Sequence, residues 1–174
     1  MTFVQARWYT RTDGRQIDLI VLHSMEAPEK GDTAEAVAAY FARGTVKASA
    51  HYCIDANSIV QSVFDRDIAW AAPGANRDGL QMEHAGYARQ TPEEWADPYS
   101  ETMLRRSAAL VARKCRRYNV PARIVYPAGL LVGRRGITTH AFVSQAFHRS
   151  DHTDPGPNFP LRHYLELVRG YLAS

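Results

Sequence analysis

The sequence predicts an α/β fold, because segments typical of buried strands alternate with segments typical of amphipathic helices. Residues 17–22 form a short run rich in branched side chains, as expected of a strand buried in a sheet. Between residues 100 and 118, apolar side chains recur at steps of three and four, which indicates a helix with one apolar face. With 174 residues and 45% hydrophobic content, we expect a single domain spanning residues 1–174.

The other elements follow in chain order. Asp32 and Glu35 resemble a capping box, and the Ala-rich stretch after them predicts a helix that ends at Gly44. Residues 49–55 and 59–64 flank a turn and predict a hairpin, and residues 71–78 predict a loop. A further strand is predicted at residues 80–84, and a short strand at 137–139 leads into His140. Leu161, Leu165, Val168 and Leu172 mark a closing helix.

Composition excludes several classes of protein. Cys53 and Cys115 are too few for a disulfide framework and are predicted to be buried thiols. No apolar run has the length of a signal peptide or of a membrane span, so we expect a chain made in the cytoplasm, with no membrane partner. The net charge is +3, and residues 105–117 concentrate basic side chains. These either attract a polyanion or form a solvated helix face.

Three residues supply the ligand set of a catalytic metal. His23 ends the first predicted strand, His140 follows the last one, and Asp154 precedes Pro155 and Gly156. Two neutral imidazoles and one carboxylate suit a zinc ion that keeps one position open for water. Each residue alone has a structural alternative: a satisfied histidine at a strand end, a residue at a helix start, and a turn former.

The order of several motifs points to a known family. They are Leu22-His23-Ser24, Ser49-Ala50-His51-Tyr52, Trp70, Glu83, Thr139-His140 and Thr153-Asp154-Pro155-Gly156-Pro157-Asn158-Phe159. With these motifs the sequence resembles the type 2 N-acetylmuramoyl-L-alanine amidases, and most of all the amidase domains of bacteriophage endolysins. The similarity runs from about residue 17 to residue 160. It implies a central mixed β-sheet flanked by helices, with a cleft at the strand ends where His23, His140 and Asp154 bind one Zn²⁺ ion.

The resemblance also implies two catalytic roles. Glu83 matches the glutamate that some members use as a base, and its alternative is a solvated strand carboxylate. His152 stands where several relatives carry a lysine that contacts the developing oxyanion. Because an imidazole titrates near neutral pH, we expect activity to depend on pH more than in those relatives. Ala50 stands where some members place a catalytic tyrosine, so Glu83 has to carry more of the reaction.

Five further residues are predicted to bind substrate: Trp70, Asn76, Arg77, Thr138 and His51. An indole ring packs well against sugars and peptide methyl groups, although a core position for Trp70 is an equal alternative. Arg77 can meet a peptide carboxylate through two hydrogen bonds. His51 is either a cleft residue or a structural histidine.

The predicted reaction is hydrolysis of the amide that joins N-acetylmuramic acid to L-alanine in peptidoglycan. We expect a monomeric phage endolysin that reaches the bacterial cell wall through a phage-encoded membrane lesion. A cytoplasmic amidase that recycles anhydro-muropeptides and a non-catalytic peptidoglycan-binding protein are the alternatives. A nucleic-acid partner is not expected, because no nucleic-acid-binding motif accompanies the basic segment.

Overall fold

The computed structural model describes all residues, Met1–Ser174. It contains eight strands and six helices in the following order: β1 (Thr2–Phe3), β2 (Tyr9–Thr10), β3 (Leu19–Ser24), α1 (Thr33–Arg43), β4 (Tyr52–Ile54), β5 (Ile59–Gln61), β6 (Ile68–Ala69), β7 (Gly79–His84), α2 (Pro92–Trp95), α3 (Pro98–Tyr118), α4 (Pro127–Leu131), β8 (Gly136–Thr139), α5 (His140–Phe147) and α6 (Leu161–Ala173). The predicted strands, the hairpin and the three predicted helices are all present.

A six-stranded sheet in the order β1-β5-β4-β7-β3-β8 forms the centre of the molecule. Every pair is parallel except β4 and β5, so the sheet is mixed, as predicted. Strand β3 lies between β7 and β8, with His23 beside Glu83 and Leu22 beside Thr139. Parallel strands end at the same edge of a sheet, so this register brings the ends of β3, β7 and β8 together.

Helices cover both faces of the sheet. Ile20 and Leu22 of β3 face one way and pack with residues of α3 and α6, such as Leu104 and Val168. Leu19 and Val21 face the other way, into a cluster that includes Val143 of α5. Helix α1 covers the hairpin through a third apolar cluster. Both faces of β3 are therefore buried, which explains its continuous run of apolar residues.

One local prediction is wrong. Asp32 precedes α1 but makes no side-chain cap, so Asp32 and Glu35 do not form a capping box. The carboxylate of Asp55 instead accepts a hydrogen bond from the backbone N–H of Ala34 over 3.0 Å. A long-range cap of this kind leaves no local signature in the sequence. The C-terminal prediction is confirmed, because Gly44 ends α1 in the left-handed conformation with φ 69°.

Cys53 and Cys115 are both buried and free, as predicted. No helix combines the length and the apolar character that a bilayer crossing requires.

Candidate active site

Three elements bring the predicted metal ligands together at one edge of the sheet. His23 is the penultimate residue of β3, and His140 is the first residue of α5. The hydroxyl of Thr139 accepts a hydrogen bond from the backbone N–H of Phe142 and caps that helix. Asp154 lies in the loop before α6, where its carbonyl accepts a hydrogen bond from the N–H of Ala141.

The donor atoms of these three residues converge. Nδ1 of His23 lies 3.0 Å from Oδ2 of Asp154, and Nδ1 of His140 lies 3.1 Å from Oδ1. All three ligand atoms lie within 4.8 Å of one another, and all three residues are buried. Two imidazole nitrogens and a carboxylate oxygen at this spacing fit a divalent metal ion with room for further ligands.

Gln81 orients His23 from behind. Its Nε2 donates to the carbonyl of Ala75 over 2.9 Å, which leaves its Oε1 to accept from Nε2 of His23, also over 2.9 Å. The Nε2 proton of His23 is thereby held away from Asp154, and the Nδ1 lone pair is left for a metal. Gln81 was not among the predicted site residues. Its position could have been inferred, because Gln81 and Glu83 are two residues apart on β7 and their side chains therefore lie on the same face of the sheet.

Burial and charge shift the pKa values of the cluster. Burial alone would lower the pKa of His23, but the carboxylates of Glu83 and Asp154 raise it to about 9. Burial opposes ionisation of Asp154, yet hydrogen bonds to His140 and His23 hold its pKa well below the ordinary range. Burial, together with His23, lowers the pKa of His140. The Asp154 carboxylate therefore stays ionised, as a metal ligand must.

Glu83 lies in the adjacent strand, beside His23. The residue is only 9% exposed, lines the cleft, and its Oε2 has no hydrogen-bond partner. Burial raises the pKa of Glu83 to about 7, and repulsion from Asp154 acts in the same direction, against the attraction of His23. A buried carboxylate with a pKa near neutrality and a free oxygen has the properties of a general base.

His152 lies at the mouth of this cluster. Its ring stacks on that of His140, with centroids 4.3 Å apart, and its Nδ1 lies 3.2 Å from Oδ1 of Asp154. The side chain is 60% exposed and lines the cleft. The structure therefore places His152 where a bound ligand can contact it.

A cleft extends from the cluster toward α1. Trp70, Tyr40 and Val46 line it, together with the three candidate ligands, Glu83 and His152. Trp70 also stacks on Trp8, with ring centroids 6.0 Å apart, and its indole N–H donates to Thr10. Trp70 is thus a partly exposed cleft residue held by the N-terminal segment, a contact that the sequence did not predict.

Four of the predicted substrate-binding residues do not line the cleft. Thr138 and His51 are fully buried: Thr138 donates to the carbonyl of Val125, and His51 accepts from the N–H of Gln81. The side chain of Asn76 accepts hydrogen bonds from two backbone N–H groups of its own loop. Arg77 is exposed and lies outside the cleft lining.

Comparison with known proteins identifies the family. The family model described as N-acetylmuramoyl-L-alanine amidase matches residues 13–157. No curated protein sequence matches the chain. Among solved structures, the chain is similar to the Staphylococcus aureus hydrolase AmiA in complex with its ligand, with a TM-score of 0.73 and 15% identity over 98% of this chain and 80% of that one.

Two further structures have the same fold. A mutant endolysin from Bacillus subtilis gives a TM-score of 0.62 and 16% identity over 98% of this chain and 99% of that one. The N-acetylmuramoyl-L-alanine amidase LysC from Clostridium intestinale gives a TM-score of 0.63 and 19% identity over 97% of this chain and 96% of that one. These identities establish the fold alone, whereas the family match covers most of the sequence. The chain therefore belongs to the family of N-acetylmuramoyl-L-alanine amidases, enzymes that hydrolyse an amide bond of peptidoglycan.

Proposed function

We propose that the protein is a zinc-dependent amidase that cleaves the bond between N-acetylmuramic acid and L-alanine. One observation carries this proposal: two Nδ1 atoms and a carboxylate converge beside the unpartnered oxygen of Glu83. The ligands would be His23, His140 and Asp154. Nitrogen-rich donor sets favour zinc over calcium or magnesium, whose ligands are mostly oxygen.

Each residue of the site has a distinct task in this reaction. Zinc, when bound, supplies a Lewis acid that polarises the amide carbonyl and makes water more acidic. Glu83 accepts a proton from the attacking water through its carboxylate and then delivers it to the leaving nitrogen of L-alanine. Burial raises the pKa of Glu83, which favours its uptake of a proton from water.

His152 would stabilise the negative charge that develops on the carbonyl oxygen. Its exposed ring at the mouth of the cluster can donate a hydrogen bond to that oxygen. Stacking keeps the ring of His152 nearly parallel to the ring of His140. A partly fixed donor loses less entropy in the transition state than a free one.

Trp70 would contact the sugar or the first peptide methyl group. Its indole is partly exposed within the cleft and is braced from behind by Trp8. Flat aromatic surfaces bind the apolar faces of sugars without needing a deep pocket.

We also propose that the enzyme acts as an endolysin on intact cell wall. The likeness to a Bacillus subtilis endolysin supports this assignment. The basic residues of α3 give weaker support, because Arg106 and Arg116 donate to backbone carbonyls and Lys114 pairs with Asp65. These contacts favour the alternative that the basic residues of α3 form a solvated helix face rather than a binding site for a polyanion. In this role the enzyme reaches the cell wall through a phage-encoded membrane lesion and acts as a monomer.

Turnover of two substrates separates the endolysin from a recycling amidase. Purified zinc-loaded enzyme is incubated with intact sacculi and, separately, with soluble anhydro-muropeptides, and the products are identified by mass spectrometry. An endolysin clears sacculi and frees peptides that begin with L-alanine. Faster turnover of the soluble fragments, with sacculi left intact, would assign the recycling role. Binding to sacculi with no release of peptide would assign a non-catalytic binding protein.

A further inference from the structure

Two cations lie over a tryptophan at the edge of the cleft. The guanidinium carbon of Arg7 is 5.7 Å from the ring centroid of Trp8, and the ammonium nitrogen of Lys47 is 5.4 Å from the same point. Trp8 stacks on Trp70, which lines the cleft. The two positive charges are therefore attached to the aromatic wall of the candidate active site.

A third cation extends this surface along α1. The guanidinium of Arg43 lies 5.9 Å from the ring of Tyr40, and Tyr40 is a cleft residue with 38% of its surface exposed. We call Arg7, Arg43 and Lys47 the cationic rim. All three side chains are exposed.

The cationic rim is not neutralised by ion pairs within the protein. None of its side chains forms an ion pair, whereas Lys114 and Arg135 each pair with an aspartate. An aromatic ring holds a cation in place without using its hydrogen-bond donors. Three such cations beside a cleft create a positive potential and leave those donors for a ligand.

The N-terminal segment that carries Arg7 is firmly attached. The backbone N–H of Arg7 donates to the carbonyl of Phe41 over 3.0 Å, and the indole N–H of Trp8 donates to that of Gly44 over 2.8 Å. Both residues precede the stretch that the family model matches. This part of the rim therefore lies outside the stretch that the family model matches.

We propose that the cationic rim binds free carboxylates of the stem peptide. This inference rests on the proposed function, because the cleft must hold a muramyl peptide. In that substrate the lactyl carboxyl is consumed in the scissile amide, so the sugar is uncharged. Negative charge lies on the carboxylates of the peptide beyond L-alanine. Charge complementarity therefore directs the peptide, rather than the glycan, toward α1 and the N-terminal segment.

Matched substrates test this assignment. Two soluble muramyl peptides are compared that differ only in having free or amidated carboxylates beyond L-alanine. The rim variant combines R7Q, R43Q and K47Q, which keep aliphatic stems and remove charge. The control variant combines R66Q, R113Q and R134Q, three exposed cations outside the cleft. Arg66 lies over the ring of Phe64 at 4.8 Å, so it reproduces the same kind of contact elsewhere.

We expect the rim variant to raise KM for the acidic peptide by about tenfold, the effect of several exposed ion pairs acting together, with kcat nearly unchanged. KM for the amidated peptide should stay as in the parent, and the control variant should resemble the parent for both. Equal KM ratios in the parent and the rim variant would overturn the inference while leaving the proposed function intact.

Two other outcomes are also decisive. If the parent enzyme hydrolyses neither these peptides nor intact sacculi, the proposed function itself fails. If the rim variant loses only its adsorption to walls that retain phosphate polymers, and treats both peptides as the parent does, then the rim binds phosphodiesters and the peptide assignment is wrong.

Discussion

The side-chain oxygen of Gln81 lies 2.9 Å from Nε2 of His23 and fixes the direction in which that imidazole presents its lone pair. The orientation of Gln81 is itself fixed by the carbonyl of Ala75. Both residues are buried, so solvent does not compete for these hydrogen bonds. An oriented imidazole binds a metal without first having to reorganise.

The first prediction follows from this contact. Gln81→Leu should weaken zinc binding by about 10–100-fold, because His23 then loses the acceptor for its Nε2 proton. Competition with a chelator of known affinity measures the effect. Gln61→Leu is the control, since Gln61 is a partly buried strand glutamine whose amide donates to Val63. Equal zinc affinity in Gln81→Leu and the parent would contradict the orienting role.

Glu83→Gln tests the base. The variant keeps the shape of the side chain but cannot accept a proton, so kcat should fall by about 100-fold or more. Zinc content should remain at the parent value, because Glu83 is not among the proposed ligands. A variant that still binds zinc and hydrolyses peptidoglycan at the parental rate would remove Glu83 from the mechanism.

His152 is tested by two substitutions. His152→Ala should lower kcat on the order of 100-fold with zinc retained, as expected for a lost oxyanion donor. His152→Lys should recover much of that activity, because an ammonium can donate a hydrogen bond to the same oxygen. The measurement is kcat together with zinc content for all three proteins. If His152→Ala keeps the parental kcat, the side chain at this position is not the oxyanion donor.

His51 makes a prediction about stability. Burial, reinforced by the charge of Arg15, lowers the pKa of His51 to about 3, against about 6.5 in an unfolded chain. The unfolded state therefore binds more protons between these values, so stability is present above pH 6.5 and is lost as the pH falls.

Denaturant unfolding at several pH values measures this loss. Between pH 6 and pH 4, the parent should lose on the order of 1–2 kcal/mol more than His51→Gln, whose amide can accept the same hydrogen bond from Gln81. Parallel curves for the two proteins would show that His51 is not held neutral by the fold.

The sequence predicted those parts of the site that depend on strand ends. His23 and His140 each follow an apolar strand, and parallel strands that are neighbours in a sheet bring such residues together. Asp154 does not follow a strand, so strand patterns do not predict its position. It was predicted from the motif that contains it, residues 153–159. Its position depends on Gly156, where a Cβ atom would collide with the carbonyl oxygen of Ala88. That contact joins distant segments and has no periodic signal.

What the sequence did not predict has the same origin. Thr138 pairs with Val21, two residues before His23, so it lies deeper in the sheet, where its hydroxyl donates to the carbonyl of Val125 rather than reaching the cleft. Trp8 was not predicted to contribute, because it precedes a strand of two residues that is held by long-range pairing with β6. Such short strands carry too few residues to show a pattern.

The central claim is that His23, His140 and Asp154 hold a zinc ion on which cleavage depends. The most direct measurement combines metal analysis of the purified protein with mass spectrometry of digested peptidoglycan, before chelation, after it and after zinc is restored. We predict one zinc ion per chain, new peptide ends that begin with L-alanine, loss of both on chelation and recovery with zinc. Undiminished release of these peptides from a metal-free preparation would contradict the account.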